Sequence, residues 1–196
     1  MSIQPLLAKQ TYIMVKSGSL QKRINEINEN IKHTGFVAIK NKSNRDIVYF
    51  ENPETKQTYI AHRGTDTSGK KTKADLTGDL MYMLGLEKHS KEFKKRATRT
   101  SKLIKTVPDD HKVDLVSHSY GGATANYTLL NKKNVRDRVE HHHAFNPLSS
   151  PFNHKSSKKK DKEMDKIVIT NRTENDIVSK AGQQHGITNT YKQKEH

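Results

Sequence analysis

At 196 residues, with 31% hydrophobic side chains and no Trp, the chain suits one domain over residues 1–196 and is too poor in apolar residues to fill two cores. The 36 Lys and Arg against 21 Asp and Glu give a net charge of +15 with His neutral, a balance that favours anionic surfaces: nucleic acid, acidic lipid head groups or an acidic partner. The absence of cysteine excludes disulfides and thiolate metal sites. No apolar run nears the roughly 20 residues of a membrane span, and the start Met1-Ser2-Ile3-Gln4-Pro5-Leu6-Leu7 lacks the basic and apolar regions of a signal peptide, so the expectation is a cytoplasmic protein.

In chain order, Leu20, Ile24, Ile27 and Ile31 line one face of a helix that Gly35 is placed to stop. Strand character follows at residues 36–39, 47–50 and 58–61, the last two joined by the turn-rich Glu51-Asn52-Pro53-Glu54-Thr55-Lys56, a hairpin. Leu76, Leu80, Met83 and Leu84 suggest a short helix. Phe93, Ala97 and Ile104 mark a second, very basic one ending near Val107-Pro108. A strand at 113–116, a helix at about 120–131 and strands at 139–145 and 167–170 complete the pattern. A hairpin followed by strand–helix alternation predicts an α/β fold: a mixed, mostly parallel central sheet flanked by helices, with N-terminal helices and a β-hairpin.

The most informative stretch is Val113-Asp114-Leu115-Val116-Ser117-His118-Ser119-Tyr120-Gly121-Gly122-Ala123. A buried strand runs through a small residue, X, Ser, X, Gly into a helix, which is the context of a nucleophile elbow. The turn is so tight that the residues two before and two after the serine must be small, and Ser117 and Gly121 hold those places. Gly122, Ala123 and Ala125 let the helix pack closely on the sheet, and its start aims free N–H groups at the reacting centre. The plainer alternative is a strand–turn–helix with a serine cap.

In this fold the triad follows the chain order Ser, acid, His. Asp176 fits the acid, on a loop after the strand Ile167-Val168-Ile169-Thr170, whereas Asp161, Glu163 and Asp165 precede that strand and Glu174 is the nearest competitor. The alternative for Asp176 is a helix N-cap. Of the eleven histidines only His185 and His196 follow; His196 is terminal and expected to fray, which leaves His185. A serine hydroxyl is a poor nucleophile until His185 takes its proton, with Asp176 orienting the imidazole. One oxyanion donor is the backbone N–H of Tyr120, and the second should come from His62-Arg63-Gly64-Thr65, after the strand at 58–61.

Five elements in order resemble the class 3 lipase family: Arg63-Gly64-Thr65, Asp75-Leu76-Thr77-Gly78-Asp79-Leu80, the Ser117–Gly122 elbow, Asn175-Asp176-Ile177-Val178 and His185-Gly186-Ile187-Thr188-Asn189-Thr190-Tyr191. The resemblance spans Tyr59 to Tyr191. It implies a compact α/β-hydrolase that cleaves carboxylic esters, above all lipid acyl esters, with Thr65 giving the second oxyanion donor. Ser117 departs from the family's Gly, and Asn146-Pro147 from its Gly-X-Pro. Between Thr65 and Asp75 a very short lid region is expected. It is polar and basic, so weak interfacial activation and a substrate with an anionic head group follow.

Other signals carry less. His141 and His143 share a face of a strand but lack a third ligand in the sequence, so no metal and no cofactor are expected. His118 reads as a packed or hydrogen-bonded residue. The run from His154 to Lys162 is either a solvated loop or a docking patch for an anionic membrane surface. A nucleic-acid partner is not expected, since no aromatic-studded basic stripe is present. The competing readings are an inactive hydrolase-fold protein that binds through its basic face, or a nucleic-acid-binding protein; the oligomeric state is open.

Overall fold

The computed structural model describes residues 2–65, 87–148, 158–176 and 185–192. The expected helix through Leu76–Leu84, the lid region at 66–74, the Asp75–Leu80 motif, His196 and the His154–Ser157 part of the basic run lie outside the described residues. The described helices are α1 (Gln4–Gln10), α2 (Leu20–Ile31), α3 (Glu87–Ile104), α4 (Tyr120–Asn131), α5 (Lys133–Arg136) and α6 (Lys158–Ile167). The strands are β1 (Val37–Ala38), β2 (Ile47–Asn52), β3 (Gln57–His62), β4 (Lys112–His118), β5 (His141–Phe145), β6 (Val168–Thr173) and β7 (Ile187–Tyr191).

Local chemistry sets the helix ends. The Ser19 hydroxyl accepts the Lys22 N–H at 3.2 Å to start α2, satisfying a donor that has no intrahelical partner. Ile24, Ile27 and Ile31 are buried along one face, and a short 3-10 turn then ends at Gly35 with φ 76°, where only glycine avoids a Cβ penalty.

The seven strands lie side by side in sequence order. β1, β2 and β3 pair antiparallel and β3 through β7 pair parallel, the mixed sheet that the alternation predicts. Each parallel crossover steps one strand the same way, and crossovers are right-handed, so the connecting helices must all fall on one face. There Leu103 and Ile104 of α3, Leu129 and Leu130 of α4, Val135 of α5 and Met164 of α6 pack on Ile60, Val113, Leu115 and Val168. The opposite face would stay bare without α1 and α2, whose Leu7, Ile24, Ile27 and Ile31 cover Val48, Phe50, Ala61 and Val116.

Three elements differ from the sequence reading. The basic run continues from Lys158 as helix α6, anchored by the buried Met164. β6 extends through Asn171–Thr173, read from sequence as loop. β7 is a strand where the sequence reading placed none; as an edge strand it leaves Ile187 and Tyr191 65% and 54% exposed, so no buried alternation marks it.

Two buried histidines tie the sheet to the helices. His62 on β3 sits between Thr124 Oγ1 at 3.1 Å and Thr100 Oγ1 at 3.0 Å. His142 on β5 donates from Nδ1 to Asn126 Oδ1 at 3.0 Å, which leaves Nε2 to accept from the Ser117 hydroxyl at 2.7 Å. Burial pushes His142 down to about 3, with His143 adding to the effect, and burial together with Arg96 and His142 holds His62 well below the ordinary range. Each imidazole is therefore neutral in the fold but protonates near pH 6.5 when unfolded. Stability is full above about pH 6.5 and falls as pH drops toward 3. Urea unfolding is expected to lose about 2 kcal/mol to His142 alone between pH 7 and pH 5, with His62 acting in the same direction; a midpoint unchanged over that range would contradict neutral burial.

Candidate active site

Between β4 and α4, Ser119 adopts φ 52°, ψ −125°. Such backbone costs about 1–3 kcal/mol in a non-glycine residue and persists only where its surroundings dictate it. Here the Ser119 N–H donates to the Phe145 carbonyl at 3.0 Å, and its own carbonyl accepts from Gly122 at 2.8 Å and Leu148 at 3.0 Å. The turn also packs backbone on backbone. A Cβ at Gly121 would stand 2.3 Å from the His62 carbonyl oxygen, and one at Gly64 would stand 2.8 Å from that of His118. Ser117 is tolerated two residues before Ser119 because its side chain is small and its hydroxyl has a defined partner in His142.

The loop after β3 brings Thr65 toward this turn. Arg63 fixes the loop from within, donating from Nη1 to the Gly64 carbonyl at 2.7 Å and from Nε to the Arg45 carbonyl at 2.9 Å. Arg96 of α3 donates to the Arg63 carbonyl at 2.6 Å, and both guanidinium groups reach Asp46 Oδ1 at 3.3 Å. Burial and the neighbouring Arg96 charge lower the Arg63 pKa, and Asp46 opposes them. Within this fixed loop the Thr65 hydroxyl is buried with no hydrogen-bond partner among the described residues. Tyr120 begins α4, its ring edge-on to Phe93 and its face 5.3 Å from the Arg96 guanidinium carbon.

Asp176 follows β6 at the C-terminal end of the sheet, the end that carries Ser119. Its charge acts on His118, raising that imidazole's pKa against the stronger lowering by burial. His118 is hydrogen-bonded, its Nδ1 2.6 Å from the Tyr12 hydroxyl. Tyr12 comes from the N-terminal 3-10 turn Thr11–Val15, and an isolated tyrosine there gave no sequence signal. Beside it Pro5, Ala8, Lys9, Tyr12, His118 and Phe145 line a cavity of about 320 Å³, at the small end of ligand pockets.

His185 is not brought to Ser119. Register equates His118 with Phe145, Asn171 and Asn189, and His185 lies four residues before Asn189. Three interstrand steps and four residues of rise separate the two by roughly 20 Å. His185 is 1% exposed, with Nδ1 3.6 Å from Asp165 Oδ1. That carboxylate also accepts the Gly186 N–H at 2.9 Å, and the His185 Nε2 has no hydrogen-bond partner among the described residues. Chain order selected His185. What it could not reveal is that His185-Gly186 turns directly into β7 at the opposite end of the sheet.

A model of the Mbeg1-like family matches residues 14–173, a span that holds Thr65 and the elbow and stops short of Asp176 and His185. That family is lipase-like. The finding corrects the resemblance drawn from the motifs, since the matched family is not the class 3 lipases. A nucleophile elbow and an oxyanion loop are common to serine hydrolases of this architecture, so motifs of that kind do not separate one such family from another. No curated protein matches the chain.

Among the described residues, removing Asp46 leaves the buried Arg63 guanidinium without a carboxylate and Arg96 with Glu92 alone. Asp46→Ala is expected to cost about 3 kcal/mol in urea unfolding; a midpoint equal to wild type would show that the pair is not what fixes the loop.

Proposed function

The chain belongs to the Mbeg1-like family, and from that membership and the Ser119 turn we propose that it is a serine hydrolase of carboxylic esters, chiefly lipid acyl esters. The observation that carries this reading is the φ 52° backbone of Ser119 at a strand–helix junction, strain of the kind that cluster at reacting centres. Ser119 Oγ attacks the ester carbonyl, the tetrahedral intermediate expels the alcohol to leave an acyl-enzyme, and water then cleaves that to release the carboxylic acid and restore the serine hydroxyl. The Tyr120 and Thr65 N–H groups stabilise the tetrahedral oxyanion, and the Thr65 hydroxyl, which has no hydrogen-bond partner among the described residues, is a third donor.

Asp176 is the acid. Chain order leaves two histidines for the base: His185, which the register holds at the far end of the sheet and which is assigned a structural part at the β7 edge, and His196, which lies outside the described residues. The cavity by Tyr12 suits a short acyl chain, with Lys9 at its wall favouring an anionic substrate group. Among the described residues no helix is long and apolar enough to cross a membrane, so contact with anionic lipid surfaces is proposed to be peripheral, through Lys and Arg side chains.

An active-site fluorophosphonate probe followed by a short-to-long acyl ester series tests the reading. Wild type is expected to label and turn over, Ser119→Ala to do neither, and His185→Gln to keep its labelling. Absence of label and turnover in folded wild type would leave a basic binding module, while loss of labelling in His185→Gln would return that residue to the triad. Thr65→Val should lower kcat by about 10²-fold or more with KM little changed. An equal effect on KM would instead place Thr65 in ground-state binding.

A further inference from the structure

On β5 the alternation of a strand sends His142 into the α4 face and leaves His141 and His143 together on the other. The sequence offered these two no third ligand. The β4–β5 register supplies one, because Asp114 pairs with His141 and Val116 with His143, so Asp114 stands directly beside one imidazole and diagonal to the other. His141 Nδ1 lies 3.6 Å from Asp114 Oδ1 and His143 Nε2 lies 3.7 Å from Asp114 Oδ2. The three ligand atoms fall within 4.8 Å of one another.

We propose that Asp114, His141 and His143 form a binding site for a divalent transition metal of the zinc class. Four-coordinate zinc with bonds of about 2.0–2.1 Å spans ligand–ligand edges of about 3.4 Å; each imidazole stands within a few tenths of an ångström of that from its own carboxylate oxygen, so a carboxylate that bridges both sides of the ion, or a small rotation of Asp114, completes the site. Two imidazoles and one carboxylate are a donor set for zinc-like ions and a poor one for calcium or magnesium. Asp114 is already oriented, accepting the His141 N–H at 2.9 Å on Oδ1 and the Gln57 amide at 3.3 Å on Oδ2. It is buried, and among the described residues no Lys or Arg nitrogen lies within 4 Å of it, its ion-pair partners there being the two imidazoles. The His141 side chain is 48% exposed, which gives an ion a path from solvent and leaves the fourth position to water.

The site is separate from the elbow: Asp114 lies five residues before Ser119, about 16 Å along the strand. Bound metal would clip β4 to β5, and this assignment does not rest on the hydrolase reading.

The test is titration of the purified protein with zinc against a chelating indicator, with thermal unfolding measured in parallel. Wild type and Ser119→Ala are expected to bind one zinc per chain, with Tm rising by roughly 5–10 °C at a hundredfold excess over Kd. Asp114→Asn, His141→Gln and His143→Gln should each weaken binding more than about tenfold. The half-exposed His141 decides the matter if either of the other variants fails to fold. Absence of saturable binding in wild type, or equal binding by wild type and His141→Gln, overturns the site and assigns any bound zinc to others of the eleven histidines.

Discussion

Everything at the Ser119 end of the sheet depends on how closely the ends of β3 and β4 approach. The carbonyls of His62 and Arg63 lie where a Cβ of Gly121 would have to be, and Ser119 and His118 crowd Gly64 in the same way. Only backbone fits between them. That contact leaves Ser119 in a conformation it would not choose alone, and it sets the Thr65 loop beside the start of α4. The strain at the serine is small beside the packing that holds it, which is the condition for strain to persist.

The polar groups that support this contact are unusually deep. Asp46 holds two guanidinium groups behind the Thr65 loop, while His62 and His142 connect strands to the hydroxyls and amide of α3 and α4. A purely apolar core could supply comparable burial, but it would not fix the loop at the level of single hydrogen bonds. The exchange is sensitivity to acid, because the imidazoles are buried as neutral groups. Ser117 belongs to the same network. Its hydroxyl is a core hydrogen-bond donor to His142, which gives a physical reason for serine at a place where glycine is usual.

A sheet whose strands run in sequence order has its crossover helices on one side. In folds with a reversal of strand order, later helices cover the second face and a crevice opens at the switch point. Here the N-terminal segment does the covering. It carries Tyr12 to the His118 imidazole and lines a cavity beside the Ser119 turn. The N-terminal helices are thus part of the site's wall as well as of the core.

Much of this was legible in the chain itself. Isoleucines at helical spacing gave α2, apolar runs gave the central strands, and the small residues around Ser119 gave the tight strand–helix turn, because these features arise from neighbours within a turn or a strand. The family did not follow from the same motifs, since they reflect chemistry common to the architecture. Strand β7 and helix α6 escaped notice because they bury almost nothing apolar. What only the tertiary structure decided was pairing across distance: that Asp114 stands beside His141 and His143, that Tyr12 meets His118, and that His185 lies at the far end of the sheet from Ser119. Sequence order constrains which residues precede others. Register, which is fixed by hydrogen bonds between strands far apart in the chain, decides which of them can touch.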